Sequence, residues 1–269
     1  MRLFRFKSFL LITLISFGFI SSSKKAPATF KVIKVSGEIL YKRTSKNMMQ
    51  GDQFSENEEL VFKTSESRAA VISVQKGRFI LAPGFDKNKL SGKANLLPPA
   101  SNISSRDGAL LNVVDLQAYF SGKLVILEKE KIQVGKDNFP LTDENFFFLQ
   151  FNYREETINK KLKAEQDQIV FDRKEILSID GKAFESDFLE CTLNYMNKNN
   201  QIQEISQFTL YLPSSDNLKT EIEILFSESG KDKDNKQKTE EVLSYLKDFY
   251  GKSRKGNVSS WIATYFPGN

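Results

Sequence analysis

The stretch DFLECTLNYMNKNNQIQEISQFTLYLP, residues 187–213, decides the fold that we predict for this chain. Two runs of alternating apolar and polar residues flank Asn199 and Asn200, and asparagines favour tight turns. The pattern therefore predicts a long β-hairpin. If the first strand alternates, Cys191 lies on the same face as Leu193, so we expect a buried and inert thiol. A reactive or intermolecular thiol is the alternative for a chain with a single cysteine.

Other short β-rich runs surround this hairpin and predict an immunoglobulin-like β-sandwich over residues 109–228. We expect a hairpin at residues 123–135, a central strand that starts at Phe146, and a last strand at residues 218–228. The three phenylalanines at 146–148 are interpreted as core packing. A hydrophobic ligand groove is the alternative interpretation for these phenylalanines.

A smaller β-rich segment precedes the sandwich, and we predict a β module over residues 29–85. Its strands are short and are separated by turn signals at Gly37, Gly51 and Gly77. Strands and turns at this frequency predict a small sheet sandwich or barrel. Residues 86–108 are polar and interrupted by glycine and proline, which indicates a linker.

The C-terminal region is predicted to be helical. A charged segment from Gly230 to Lys238 indicates a linker, and residues 238–267 then carry two apolar stripes at helical spacing. Asn257 is placed to cap the second helix. Because both helices are short, neither is stable alone in water, and each must bury its stripe against another surface.

The second stripe contains Trp261, Tyr265 and Phe266, which we single out as candidate partner-binding residues. Tryptophan and tyrosine are favoured at protein interfaces, and this helix follows a polar linker near the end of the sequence. We expect the helix to dock back onto the chain's own sandwich. A partner-binding latch is the functional alternative.

The first residues predict a signal peptide over residues 1–23. Arg2, Arg5 and Lys7 form a basic start, an apolar stretch follows, and small residues come after it. The apolar run is shorter than the roughly 20 residues that a membrane-spanning helix needs, so we expect cleavage and no integral membrane span afterwards. Loss of these three charges lowers the formal net charge from +5 to +2. That value leaves no basic footprint for nucleic acid.

The composition excludes several kinds of catalytic site. The chain has no histidine and one cysteine, which excludes a Ser-His-Asp triad, a histidine general base, a histidine-ligated zinc and a thiol pair. Acid–base chemistry is left to neighbouring carboxylates, namely Glu155 and Glu156, Asp172 and Glu175, and Glu185 and Asp187. Nothing in the sequence marks a substrate cleft around them. The Asp232-x-Asp234 pattern lacks the later glycine and glutamate of a calcium loop. We therefore predict no catalytic residue, no cofactor and no metal site.

In residues 29–84, predicted strands alternate with glycine turns in the stretches VIKVSGEILYKR, QGDQF, ELVFKTSESRAAVISV and QKGRFILAP. With these stretches the segment resembles a FecR-like domain. FecR-like domains are extracytoplasmic β-rich modules of bacterial envelope regulators and surface proteins. The resemblance implies the module alone, because no membrane-spanning helix and no sigma-binding segment accompany it in this sequence.

Together these features predict a mainly β protein that is exported to the periplasm or the extracellular space. We expect a non-enzymatic envelope protein that binds or scaffolds other envelope components, with an envelope protein as its partner. The alternative is a carbohydrate-binding module or a carboxylate-dependent glycan-active enzyme, with a glycan as ligand. An aromatic platform beside paired carboxylates in a concave surface would favour sugar. A hydrophobic patch centred on Trp261 would favour protein.

Overall fold

The computed structural model of the chain describes residues 27–83, 91–92, 95–99, 108–229 and 233–267. Strands hold 41% of the described residues and helices 24%, which confirms the predicted mainly β class with a C-terminal helical pair. The predicted signal peptide at residues 1–23 lies outside the described residues. No helix among the described residues is long and apolar enough to cross a membrane.

The first unit consists of short strands that pair into two antiparallel sheets. The strands are β1 (Thr29–Ser36), β2 (Ile39–Tyr41), β3 (Gln53–Ser55), β4 (Leu60–Phe62), β5 (Arg68–Ser73), β6 (Gly77–Ala82), β7 (Ser91–Gly92) and β8 (Asn95–Leu97). Their orders are β3-β1-β5-β6-β8 and β2-β4-β7. Phe30 and Val71 enter a core within this unit, while Ile33 and Ile72 enter a second core on the other face. Both faces of the main sheet are therefore used for packing.

The second unit contains the predicted long hairpin and forms a sandwich. Its elements are α1 (Val113–Tyr119), β9 (Gly122–Val125), β10 (Lys129–Gln133), β11 (Phe146–Tyr153), β12 (Glu156–Lys161), β13 (Lys163–Glu165), β14 (Gln168–Asp172), α2 (Arg173–Ile176), β15 (Ser178–Ile179), β16 (Lys182–Ala183), β17 (Phe188–Met196) and β18 (Ile202–Tyr211). The larger sheet has the order β12-β11-β17-β18-β9 and the smaller one β10-β14-β13. Phe147 and Leu193 of the larger sheet share a core with Ile132 and Phe171 of the smaller sheet. The two sheets therefore pack face to face.

Three helices follow the sandwich in the described part of the chain: α3 (Ser215–Ser229), α4 (Asn235–Phe249) and α5 (Lys255–Tyr265). We call them the helical layer. Their apolar stripes share one core with Ile33 and Ile72 of the first unit and with Val125 and Leu127 of the second. The helical layer therefore packs against both β units and joins them.

The predicted last strand at residues 218–228 is wrong, because this segment belongs to α3. Leu218, Ile222 and Leu225 are buried at positions i, i+4 and i+7, which is helical spacing. Ile222 and Ile224 are both buried and lie two residues apart, which is the spacing of a β-strand. The apolar residues of this run therefore fit a strand period as well as a helix period. Packing against β1 and β5 selects the helix.

Two further predictions about connections need correction. Residues 123–135 do not form a hairpin, because β9 joins the larger sheet of the sandwich and β10 joins the smaller one. Glu128 lies between these strands with a φ of +56°, where the chain changes sheets. The segment at 86–108, predicted as a linker, contributes β7 and β8 to the sheets of the first unit.

The helical pair starts at other residues than the sequence predicts. α4 begins at Asn235, inside the predicted charged linker, because the Asp234 side chain accepts a hydrogen bond from the Gln237 backbone N–H. The Gln237 side chain accepts in return from the Asp234 N–H, which completes a capping box. Asn257 does not cap α5, because Arg254 occupies that position and Asn257 lies inside the helix.

Candidate functional site

The outer face of the larger sheet, which points away from the sandwich core, carries the candidate binding site. β11 lies between β12 and β17, and its side chains alternate between the two faces. Phe147 and Leu149 enter the core, so Phe146, Phe148 and Gln150 point outward. Burial is confirmed for Phe147, which lies in the sandwich core, and for Phe148, which is 6% exposed on the outer face. The alternative of a groove applies to the half-buried Phe146, with Phe148 as a buried lining residue.

A groove with a volume of about 410 Å³ crosses this face. We call it the outer groove, and its lining residues are Phe146, Phe148 and Gln150 of β11, Asn159 and Lys161 of β12, Asn194 and Met196 of β17, and Ile202 of β18. The strand register places Phe148 opposite both Lys161 and Asn194. Backbone pairing between neighbouring strands therefore fixes the relative positions of these side chains.

One end of the outer groove is apolar. The ring centroids of Phe146 and Phe148 lie 6.2 Å apart. Met196 is paired with Phe146 on one side and with Ile202 on the other. The Ile202 side chain is 60% exposed. Phe146 and Met196 are half-buried and Phe148 is buried, so Ile202 is the most exposed part of this apolar end. Exposed apolar surface rimmed by polar residues is typical of ligand or partner sites.

The other end of the outer groove carries side-chain amides. Gln150 Nε2 donates to Asn159 Oδ1 at 2.9 Å, and Asn194 lies on the strand at the other side of β11. A side-chain amide has two N–H donors and an oxygen with two lone pairs. The single bond between Gln150 and Asn159 holds both side chains in place and leaves each of them with further donor and acceptor capacity.

Lys161 is the charged residue among those that line the outer groove. Its Nζ lies 4.1 Å from the centroid of the Phe146 ring and donates to the Asp143 carbonyl oxygen at 3.1 Å. The ring face and the carbonyl both attract the ammonium group. The charge is therefore engaged by groups of the chain itself.

A second cleft, of about 640 Å³, shares Ile202 with the outer groove. We call it the end cleft, because the loop before β11 meets the β17–β18 turn there. Its lining includes the amides of Asn138, Asn145, Asn197, Asn199, Gln201 and Gln203. Asn197 also orders the turn, since its Oδ1 accepts from the backbone N–H groups of Asn199 and Gln201. The two cavities adjoin at Ile202, and their linings hold many amides and two charged residues, Lys161 and Lys198.

A buried polar cluster around Glu221 lies where the first unit meets the helical layer. The Glu221 carboxylate accepts from the Tyr245 hydroxyl at 2.7 Å and from the Tyr250 hydroxyl at 2.8 Å, and Lys34 Nζ lies 3.1 Å away. Burial raises the pKa of Glu221 above its ordinary value, against the opposing effects of Lys34 and the two phenols. The residue is only 1% exposed, so the cluster serves to hold the units together and does not face a ligand.

Two further ion pairs are buried at the same junctions. Arg78 of β6 lies 2.6 Å from Asp248 of α4 and donates to Ser244 Oγ at 2.7 Å. Arg254, at the start of α5, lies 3.4 Å from Glu130 of β10. A buried ion pair adds orientation to a contact because its geometry must be satisfied. These pairs therefore position the helical layer against both β units.

The residues predicted as a partner-binding surface belong to the helical layer. Trp261 is 3% exposed and Phe266 is 8% exposed, and both contribute to the core shared with the β units. Trp261 Nε1 donates to Ser215 Oγ at 3.3 Å, and the Tyr265 hydroxyl donates to Glu128 at 3.2 Å. In this structure α5 docks onto the chain itself, and a partner would have to displace these side chains.

The carboxylates considered for catalysis do not line the outer groove. The exposed ones are Glu155, Glu156, Glu185 and Asp187. Asp172 caps α2 by accepting from the Lys174 backbone N–H, and Glu175 accepts from Lys163 Nζ at 2.9 Å. Each of the latter two carboxylates therefore has a local structural partner.

The remaining chemical candidates have structural positions. Cys191 is buried as predicted, and burial, with a smaller effect of Glu190, raises the pKa of its thiol to about 12. Asp234 caps α4, while Asp232 lies outside the described residues. Within the described ranges, no three histidine, cysteine, aspartate or glutamate side chains form a group that could hold a metal ion.

Sequence reasoning missed most of the outer groove. It considered Phe146 and Phe148, but it did not identify Asn159, Asn194 or Ile202. The alternation of β11 was a usable signal, because it separates Phe147 from its two neighbours. The identity of the strands beside β11 depends on long-range pairing, which local periodicity does not contain.

No protein-family model and no curated protein matches this chain. Among solved structures, the chain is similar to the FN1–FN3 domains of chicken CNTN1, with 9% sequence identity and a TM-score of 0.20. The match covers 70% of this chain and 58% of that one, so the chain spans less than two thirds of that structure. A likeness at this level supports no inference about function.

Proposed function

We propose that this chain is a non-enzymatic exported protein of the bacterial cell envelope that binds another envelope component through the outer groove. The observation that carries the proposal is the apolar end of the groove, where the half-buried Phe146 and Met196 adjoin the exposed Ile202 on one sheet face. Binding sites typically combine an apolar surface with a few convergent polar groups. The amides beside this patch supply such groups.

The chemistry of the groove supports binding over catalysis. The residues that line it contribute aromatic, aliphatic, thioether, amide and ammonium groups. A general acid–base pair needs titratable groups near the substrate, and covalent catalysis needs an activated nucleophile. The one ammonium group, on Lys161, is engaged by a ring and a carbonyl. The chain as a whole has no histidine to supply either role.

Export is the part of the proposal that rests on residues 1–23 and on the FecR-like resemblance over residues 29–84. A basic start followed by an apolar stretch and small residues supports a cleaved signal peptide. We expect the mature protein to begin between Ser22 and Thr29. N-terminal sequencing of the exported material measures this directly, and exported protein that still starts at Met1 would contradict the proposal.

The binding role can be tested with envelope fractions. We expect the purified mature protein to bind saturably to an envelope component, either in the protein fraction or in the polysaccharide fraction. Phe146→Ala removes a ring from the outer groove and should weaken that binding about tenfold or more. Phe188→Ala is a matched control, because Phe188 lies on the same sheet, is 49% exposed and has its ring centroid 5.6 Å from that of Tyr211, outside the groove.

The fractions and the two variants together decide the outcome. Saturable binding that Phe146→Ala weakens and Phe188→Ala preserves supports the outer groove as the binding surface. An absence of saturable binding to both fractions would refute the binding role. Binding that is equal in all three proteins would refute the groove as its site. Circular dichroism spectra should show that both variants keep the β-rich fold.

A further inference from the structure

The outer groove has the mixed chemistry that ring-shaped, hydroxyl-rich ligands require. Its apolar end is lined by the half-buried Phe146 ring and the exposed Ile202 side chain, with the buried Phe148 ring next to Phe146. Its polar end offers Gln150 and Asn159, held together by a hydrogen bond of 2.9 Å. A sugar ring likewise has an apolar face of C–H groups and an edge of hydroxyl groups. We infer that the outer groove binds a neutral glycan, an inference that rests on the proposed function of the groove as the binding surface.

Amides suit hydroxyl groups because both can donate and accept. A carboxylate can only accept and an ammonium group can only donate, whereas a side-chain amide does both at fixed positions. Asn194 places a third amide on the next strand, but it is 5% exposed and its Nδ2 donates to the Thr192 carbonyl oxygen at 3.4 Å, so Gln150 and Asn159 are the accessible pair. The hydroxyl groups of a ligand would therefore find both hydrogen-bond donors and hydrogen-bond acceptors at this end of the groove.

The charge of the lining favours a neutral ligand over an anionic one. Lys161 is the charged lining residue, and its ammonium group is already in contact with the Phe146 ring and the Asp143 carbonyl oxygen. A site for an acidic polysaccharide or a phosphate normally presents basic groups toward the ligand. The lining of the outer groove instead presents uncharged donors and acceptors.

The dimensions of the surface favour a short chain of sugars over a single one. The outer groove crosses four adjacent strands from β12 to β18, which is about 14 Å at the usual spacing between strands. The end cleft continues from Ile202 and brings more amides, including Asn199 and Gln203. An oligosaccharide that crosses the outer groove could extend into the end cleft.

The inference can be tested by titrating the mature protein with neutral oligosaccharides of several linkages. The probes are cello-, malto- and chito-oligosaccharides, with polygalacturonate as the acidic comparison, and binding is measured by calorimetry at low and high salt. We expect saturable binding of at least one neutral probe with little salt dependence, since no charged group is recruited. Phe146→Ala should weaken the affinity about tenfold or more, while Phe188→Ala should leave it unchanged.

A second variant tests the amide end separately. The double change Gln150→Ala with Asn159→Ala removes both partners of one hydrogen bond, so it leaves neither amide unpaired. We expect it to weaken the binding of the neutral probe. Gln207→Ala is its control, because Gln207 is exposed on β18 and bonds Glu204 outside the groove.

The outcomes separate this inference from the proposed function. If no neutral oligosaccharide binds, or if only polygalacturonate binds and salt abolishes it, the neutral-glycan inference is wrong. The proposed function still stands in that case if an envelope protein binds in a Phe146-dependent manner. A neutral probe that binds equally to the wild type and both groove variants would place the glycan elsewhere and also overturn the inference.

Discussion

Glu221 is a carboxylate whose protonation is coupled to the packing of the helical layer. Its buried carboxylate faces Lys34 of β1, Tyr245 of α4 and Tyr250 just after α4. Burial and the carboxylate also raise the pKa of both tyrosines, so they stay neutral donors. Burial destabilises the charged form of Glu221 relative to its neutral form.

The Glu221→Gln variant should change how stability depends on pH. The pKa of Glu221 is higher in the folded than in the unfolded chain, so the unfolded chain loses this proton first as the pH increases. The free energy of unfolding of the wild type therefore falls from about pH 4 upward. The fall ends once the pH exceeds the raised pKa of Glu221 in the folded protein. The variant keeps the shape and lacks this titration. The unfolding free energy of the wild type, measured with urea, should therefore fall relative to that of the variant as pH rises.

The opposite slope would contradict this expectation. If the wild type gained stability relative to Glu221→Gln as the pH increased, the attraction of Lys34 would outweigh the effect of burial. Groups shared by both proteins, such as Tyr245 and Tyr250, cancel in the comparison unless they respond to the substitution. The measurement therefore shows whether burial or the attraction of Lys34 has the larger effect on the pKa of Glu221.

At the scale of elements, α5 is held by both side-chain burial and specific hydrogen bonds. Asn257 Oδ1 accepts from the Leu127 N–H at 2.8 Å, and its Nδ2 donates to the carbonyl oxygens of Leu127 and Lys129 at 3.0 and 2.9 Å. The backbone of Gly251 passes so close to Lys123 that a Cβ there would lie 2.5 Å from its carbonyl oxygen. These contacts fix α5 and the preceding turn against the sandwich.

Trp261→Ala should destabilise the whole protein. Trp261 is almost fully buried, and truncation of a large buried aromatic side chain typically costs about 3–5 kcal/mol. Urea unfolding followed by far-ultraviolet circular dichroism measures the loss. Phe188→Ala, at an exposed position, should cost about 1 kcal/mol or less.

The two substitutions also address the latch that the sequence suggested for the C-terminal helix. If Trp261→Ala cost no more than Phe188→Ala, the helix would contribute little to the core and a detachable latch would be favoured. A large loss shows that the segment is part of the structural core. Deletion of residues 251–269 should then unfold the protein, because it removes the whole of α5.

At the scale of the whole molecule, the helical layer makes one body of two β units. Lys31 of β1 pairs with Glu228 of α3 at 3.2 Å, and Arg68 of β5 donates to the Phe249 carbonyl oxygen at 2.5 Å. On the other side, Asn257 bonds the strand connection of the sandwich. Loss of the helical layer would expose apolar surface on both β units.

We therefore expect the described structure to unfold in a single cooperative transition. Trp261, the single tryptophan of the chain, reports on the helical layer by its fluorescence, and far-ultraviolet circular dichroism reports largely on the strands. The two signals should give the same midpoint in urea. A fluorescence midpoint at lower urea would show instead that the helical layer opens before the β units.

The sequence by itself determined the β-rich character, the hairpin of β17 and β18, and the exclusion of histidine chemistry. These features are local or compositional: alternation, turn residues and residue counts contain them. Only the tertiary structure decided that residues 218–228 form a helix, that Trp261 lies in a shared core, and that the outer groove exists. The physical reason is that burial and strand pairing join residues far apart in sequence, so the same local pattern fits more than one structure until its neighbours are in place.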